Sequence, residues 1–233
     1  MSNIPIITVD GPSGTGKGTI CSYLAEWLHW HFLDSGALYR VLALAAEKQG
    51  IDKDDDVALE QLAENLNVEF KVAEAGSLVN VLLDGEYVTE EIRTETCGNA
   101  ASIIAPIATV RKALLARQRA FHQTPGLIAD GRDMGTVVFP DATLKIYLTA
   151  SAEERAKRRY KQLKEKGISA NLRGLSADIA ERDERDSTRS ISPLKPAEDA
   201  IVIDTSKLDI NTVVANISEL VCKRIPGLPK TGG

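Results

Sequence analysis

One junction near the start of the chain constrains its fold more than any other feature. Residues 4–9, Ile-Pro-Ile-Ile-Thr-Val, form a short apolar, β-branched run that reads as a buried strand. Gly11-Pro12-Ser13-Gly14-Thr15-Gly16-Lys17-Gly18-Thr19 follows at once and contains the pattern Gly-x-x-x-x-Gly-Lys. Ile20, Leu24, Trp27 and Leu28 then recur at helical spacing. By chance the bare pattern arises in roughly one chain in ten to twenty of this length. Its position between a strand and a helix is what makes it a phosphate cradle. Glycines let the loop curl so that several backbone N–H groups aim at one anion. The helix N-terminus adds unpaired N–H groups and partial positive charge. Lys17 can then reach the outer phosphates of a nucleoside triphosphate. Gly18 stands where Ser or Thr is usual, and the hydroxyl comes one residue later, at Thr19. Mg²⁺ is therefore expected to be held largely by water and phosphate, which it tolerates well. The sequence shows no protein ligands for a metal.

Strand and helix patterns alternate along the rest of the 233 residues, which indicates a parallel α/β sheet with helices on both faces. Strands are expected at 31–34, 127–130, 144–148 and 200–204. Helices are expected at 37–49 (stopped by Gly50), at 57–66, from about 95 to 122 with a break at Pro106, at 175–189 and at 210–224. Ser151 and Glu154 suggest a capping box opening a basic helix that runs to Lys166. Residues 67–72 and 78–83, with a turn at 74–77 and a further short strand after Gly85, read as an antiparallel patch set among the helices. The tail, 226–233, is expected to fray.

Several side chains stand out as candidates for binding phosphate, a task that favours arginine for its planar fork of donors. Arg40 lies one helical turn after Ser35-Gly36. Arg132 sits just past a strand end, where open α/β sheets bind ligands, between Asp130 and Asp133. Arg182, Asp186 and Arg189 are spaced to share one helix face. Arg155, Arg158 and Lys161 read better as solvated surface charges. Asp130 is open to two readings: a partner for metal-bound water, or a turn-forming Asp before Gly131. His29 and His31 lack a third ligand and read as structural. Cys21, Cys97 and Cys222 are odd in number and widely spaced, so reduced, partly buried thiols are expected.

Four blocks carry a family resemblance: the loop from Asp10 to Thr19, Leu33-Asp-Ser-Gly-Ala-Leu-Tyr-Arg40, Ile128-Ala-Asp-Gly-Arg-Asp-Met-Gly-Thr136, and Glu181-Arg-Asp-Glu-Arg-Asp-Ser-Thr-Arg189. Together they resemble the bacterial cytidylate kinases, within the P-loop nucleoside monophosphate kinases, over nearly the whole chain. The first block is generic to P-loop kinases; the second and third, in this order, are specific. The resemblance implies a P-loop NTPase fold with a five-stranded parallel sheet, in which residues 1–35, 124–156 and 188–233 form the core. Residues 36–123 would be a monophosphate-binding region, enlarged by the antiparallel insertion, and 157–187 a lid. It further implies that Gly11 to Thr19 bind ATP with Arg159 of the lid nearby. Arg40, Arg132 and Arg182 would hold the acceptor phosphate or the group in transfer. Ser35 would lie in the acceptor pocket, Asp186 and Arg189 would meet the sugar, and Ser102, Arg111 and Asp133 would read cytosine. The substrates would be ATP with Mg²⁺, and CMP or dCMP.

Composition excludes other classes. A net charge of −5 and no aromatic-basic interleaving argue against nucleic-acid binding. No Asn-Lys-x-Asp segment is present to read guanine, as a GTP switch requires. The start of the chain has no leader pattern, and no apolar run in the sequence is long enough for a membrane helix, so a soluble, cytoplasmic protein is expected; a monomer is expected as well. The nearest rival is another small-molecule P-loop kinase, acting on uridylate or shikimate.

Overall fold

The computed structural model describes residues 4–71, 79–165 and 167–228. Five parallel strands form the main sheet: β1 (Ile6–Asp10), β2 (His31–Asp34), β6 (Leu127–Gly131), β7 (Leu144–Thr149) and β8 (Ile201–Asp204), in the order β2-β6-β1-β7-β8. Side chains alternate across the sheet because the strand period is two. Ile7, Val9, Ile128, Ile146 and Leu148 face one core, completed by α1 (Lys17–Leu28) and α8 (Ile210–Arg224) through Ile20, Leu24, Val213 and Ile217. Ile6, Leu33, Leu127 and Ala129 face the other, covered by Met134, Val138 and Phe139. Residues Met134–Val138 form a π-helical turn that the sequence pattern did not announce.

A third cluster lies beside the sheet. It joins α2 (Ser35–Gln49), α3 (Asp56–Asn65), α4 (Glu95–Ile104) and α5 (Ala108–Ala120) around Leu38, Leu42, Leu59, Ile92 and Leu114. A small antiparallel sheet of β3 (Val68–Lys71), β4 (Asn80–Leu83) and β5 (Glu86–Tyr87) contributes Val68, Val81 and Leu83 to it. These strands answer to the expected 67–72, 78–83 and post-Gly85 runs; the expected turn at 74–77 lies outside the described residues. The hairpin of α6 (Ala152–Glu165) and α7 (Leu172–Thr188) completes the fold. Among the described residues no helix is long and apolar enough to cross a membrane.

Local chemistry sets the ends of these elements. Asp34, Asp55, Thr94 and Asp209 cap α2, α3, α4 and α8, each side chain accepting from a backbone N–H three residues on. Helix α7 starts at Leu172, earlier than expected, because Asn171 accepts from the Arg173 N–H at 2.9 Å. Ser151 caps α6 by accepting from the Glu154 N–H. The reciprocal half of the expected capping box is absent: the Ser151 N–H donates to Ser206 Oγ, and Glu154 faces Arg158.

Candidate active site

The phosphate loop is built by the close approach of β7 and by its own internal bonds. A Cβ on Gly11 would lie 2.0 Å from the Leu148 carbonyl oxygen, so only glycine fits there. Gly16 opens α1 with φ +95, a left-handed conformation that favours glycine. Thr15 Oγ1 and Lys17 Nζ both donate to the Pro12 carbonyl, at 3.1 and 2.8 Å. Side chains from outside the loop brace it. Thr205 Oγ1 donates to the Thr15 carbonyl, and Arg155 Nη1 donates to the Ser13 carbonyl. Lys17 is only 6 % exposed. Burial, and then the nearby Arg132, pull its pKa down to about 8, with Asp130 opposing.

Strand register delivers three carboxylates to one end of the sheet: Asp34 is level with Asp130, and Asp10 with Gly131. Asp10 accepts from the Met134 and Gly135 N–H groups at 2.9 and 2.8 Å, which fixes the π turn to β1. Burial raises its pKa to about 6 despite those bonds. Asp34 caps α2. Asp130 lies inside β6, so the turn-forming reading fails for it. It faces Lys17, and burial lifts its pKa to about 7. A Cβ on Gly18 would come 3.8 Å from Asp130 Oδ2. The carboxylate thus sits beside the place where the usual hydroxyl would be.

Arginines from several elements converge next to this edge. Arg132 Nε donates to Asp186 Oδ2 at 3.0 Å, joining the end of β6 to α7. Arg182 is depressed to a pKa of about 10 by burial and then by Arg132, with Arg40 adding to the effect, so the three cations share one region. Its Nε is buried and has no hydrogen-bond partner among the described residues. Arg40 Nη1 donates to the Ile92 carbonyl at 2.8 Å. Alongside, Asp133 accepts from Arg111, whose guanidinium also donates to the Ala105 carbonyl and lies 5.9 Å from the Tyr39 ring centroid. Burial leaves Arg189 a weaker base than usual, Asp133 opposes that shift, and its Nη2 is buried with no hydrogen-bond partner among the described residues. Ser102, Arg182, Asp186 and Arg189 line a cavity of about 210 Å³ with Ala105 and Pro106.

The phosphate loop, the buried arginines and this cavity thus lie together at one end of the sheet. The cytidylate kinase family profile matches residues 7–223. Relatives named cytidylate kinase include that of Nitrosococcus oceani, 61% identical over 92% of this chain and 94% of its own. Those of Aeromonas salmonicida (60%, over 91% and 92%) and Stutzerimonas stutzeri (58%, over 95% and 96%) are similarly close.

The chain belongs to the cytidylate kinase family.

Within that family membership, several sequence expectations need correction. Arg155 is not a solvated charge: its side chain is 4% exposed and grips Asp183, Ser13 and Ala150. Arg158 is engaged as well, donating to the Thr205 carbonyl and hydroxyl. Lys161 alone of the three is a surface group, 79% exposed. Arg189 does not share the α7 face with Arg182 and Asp186. It lies just past the helix end in extended backbone, although its side chain still reaches their cavity. The Asp133 side chain accepts from Arg111. Arg159 pairs with Glu95 of α4. The Ser35 hydroxyl is buried and donates to Gln118 Oε1 at 3.1 Å. His29 caps α1 in a left-handed conformation, and His31 Nε2 bonds the Thr124 carbonyl. Cys21 and Cys97 are buried and Cys222 is exposed, all three unbridged. Tyr39, Gln118 and Asp183, which contact Arg111, Ser35 and Arg155, were not singled out in the sequence, since nothing local marks a helical Tyr, Gln or Asp.

Proposed function

We propose that this protein transfers the γ-phosphoryl group of ATP to CMP or dCMP, giving ADP and CDP or dCDP. The observation that carries the reading is the meeting of Lys17, Arg40, Arg132 and Arg182 at the end of the sheet where the phosphate loop opens. A site for a phosphate donor needs the loop; a site for an acceptor that is itself a phosphate needs the extra cations.

The reaction asks for position and charge rather than covalent chemistry. An acceptor phosphate oxygen is already largely anionic near neutral pH, so no general base is required. That oxygen forms a bond to the γ-phosphorus as the bond to the leaving oxygen of ADP breaks. Loop N–H groups and Lys17 hold the donor phosphates. Arg132 and Arg182 offset the charge of the two approaching anions, and Arg40 holds the acceptor from the α2 side. Asp130 stands beside Gly18 and would hold a Mg²⁺ through water, where the metal would neutralise charge on the phosphates. Residues 36–123 serve as the acceptor region and 157–187 as a lid that excludes water. Asp133 and Ser102 accept from the cytosine N4 amino group, and Arg111 donates to N3 or O2. Asp186 and Arg189 take the sugar. The protein works on this reading as a cytoplasmic monomer.

Incubating the protein with ATP, Mg²⁺ and CMP tests the proposal. ADP and CDP should form in equal amounts. Absence of CMP-stimulated ADP release from folded protein would overturn it.

A further inference from the structure

Arg155 connects two parts of the molecule that the reaction must hold in register. It lies in the first turn of α6, directly after β7, and it and Ala156 are the buried residues of that helix. Each nitrogen of its guanidinium has a partner. Nε donates to the Ala150 carbonyl at 3.0 Å. Nη1 donates to the Ser13 carbonyl of the phosphate loop at 3.2 Å and to Asp183 Oδ1 at 3.0 Å. Nη2 donates to Asp183 Oδ2. The stem touches the loop as well, since a Cβ on Gly14 would lie 3.1 Å from Arg155 Cβ.

Asp183 sits on α7 between two kinds of neighbour. Arg182 precedes it, and Asp186, which accepts from Arg132, follows one turn later. Its i±3 and i±4 neighbours on α7 are Ile179, Ala180, Asp186 and Ser187, none of them a cation. The partner that fixes its carboxylate comes from another element. A two-pronged guanidinium–carboxylate contact fixes distance and angle as well as charge. Moving α7 against the loop would break that contact.

We infer that Asp183 is a positioning residue for phosphoryl transfer: through Arg155 it locks α7, with Arg182 and Asp186, to the phosphate loop at Ser13. Asp183 touches no nucleotide in this role. It sets how far the acceptor-side groups stand from the donor phosphates, and a displacement near 1 Å is enough to cost about a hundredfold in rate. The inference rests on the kinase reading above.

The test uses the full chain with Asp183→Asn, which keeps shape and loses charge, and Arg155→Lys, which keeps charge and loses the fork. With both nucleotides saturating, kcat for CDP formation should fall about tenfold or more in each. KM for ATP and CMP should change much less. The share of ADP released without CDP should rise, because α7 is no longer held in register with the loop; a merely structural lesion would lower both products together. The double variant should be no worse than the more impaired single one, as expected for groups acting as a unit. Asp183→Glu guards against simple unfolding: it retains the charge and should melt near wild type while kcat stays low. If Asp183→Asn matches wild type in kcat and in its ADP-to-CDP ratio, or if the two single losses multiply, the inference is wrong. A wild-type protein that makes no CDP would instead remove the kinase reading itself.

Discussion

On the proposed reading the phosphate loop and the acceptor arginines both hold anions, and they are built in opposite ways. The loop is one run of nine residues, 11–19, whose donors are largely backbone N–H groups fixed by glycine geometry. The acceptor side draws Arg40 from α2, Arg111 from α5, Arg132 from just past β6, Arg182 from α7 and Arg189 from beyond its end. Its charges are held by other side chains and carbonyls: Asp186 for Arg132, Asp133 for Arg111, Ile92 for Arg40. A contiguous site depends on local backbone shape; a dispersed one depends on the whole fold bringing its parts together. The two halves should therefore fail differently when altered.

The largest effect is expected in the loop. Lys17→Ala removes the one cation the loop carries and should lower kcat by at least about a hundredfold. A near-normal kcat would reduce the loop to a structural turn. On the acceptor side, Arg182→Lys keeps the charge and loses the fork. It should remain impaired by about tenfold or more. Behaviour like wild type would make charge alone sufficient there and erase the contrast with the loop. A smaller effect is expected at the base. Asp133→Ala should reduce kcat/KM for CMP about tenfold more than for UMP, because uracil presents an acceptor where cytosine presents an amino donor. Equal losses on both substrates would mean that Asp133 only braces Arg111.

The smallest effect concerns protons on the donor side. Burial raises Asp130 from 3.8 to about 7, so between these values the folded chain holds a proton that the unfolded chain has released. Its contribution to stability is complete below 3.8 and is lost as pH rises through about 7. Asp130→Asn removes that dependence. Melting temperatures at pH 4 to 8 should show the variant gaining on wild type as pH rises. A gap that stays constant over this range would exclude the titration.

How legible each part was follows from the same contrast. The parallel sheet, the loop and the small antiparallel sheet could be read because their signals are local: apolar strands and glycines. The blocks around Arg40, Arg132 and Arg182 could be found through resemblance to a family. Their partners could not. Asp183 has no sequence mark that ties it to Arg155, 28 residues away, and a basic helix normally means solvated charge. The π turn at Met134–Val138 exists because Asp10, from a distant strand, accepts its N–H groups. Asp130 had two readings in the sequence, a partner for metal-bound water or a turn residue, and the second falls because β6 runs one residue past it.

An acceptor panel tests the central claim most directly. With ATP and Mg²⁺ constant, initial rates of ADP release are measured for CMP, dCMP, UMP, AMP, GMP and shikimate, and the product is identified. The account predicts the highest kcat/KM for CMP or dCMP, with UMP roughly a hundredfold or more below. A preference for any other acceptor, or no response to CMP, would contradict it.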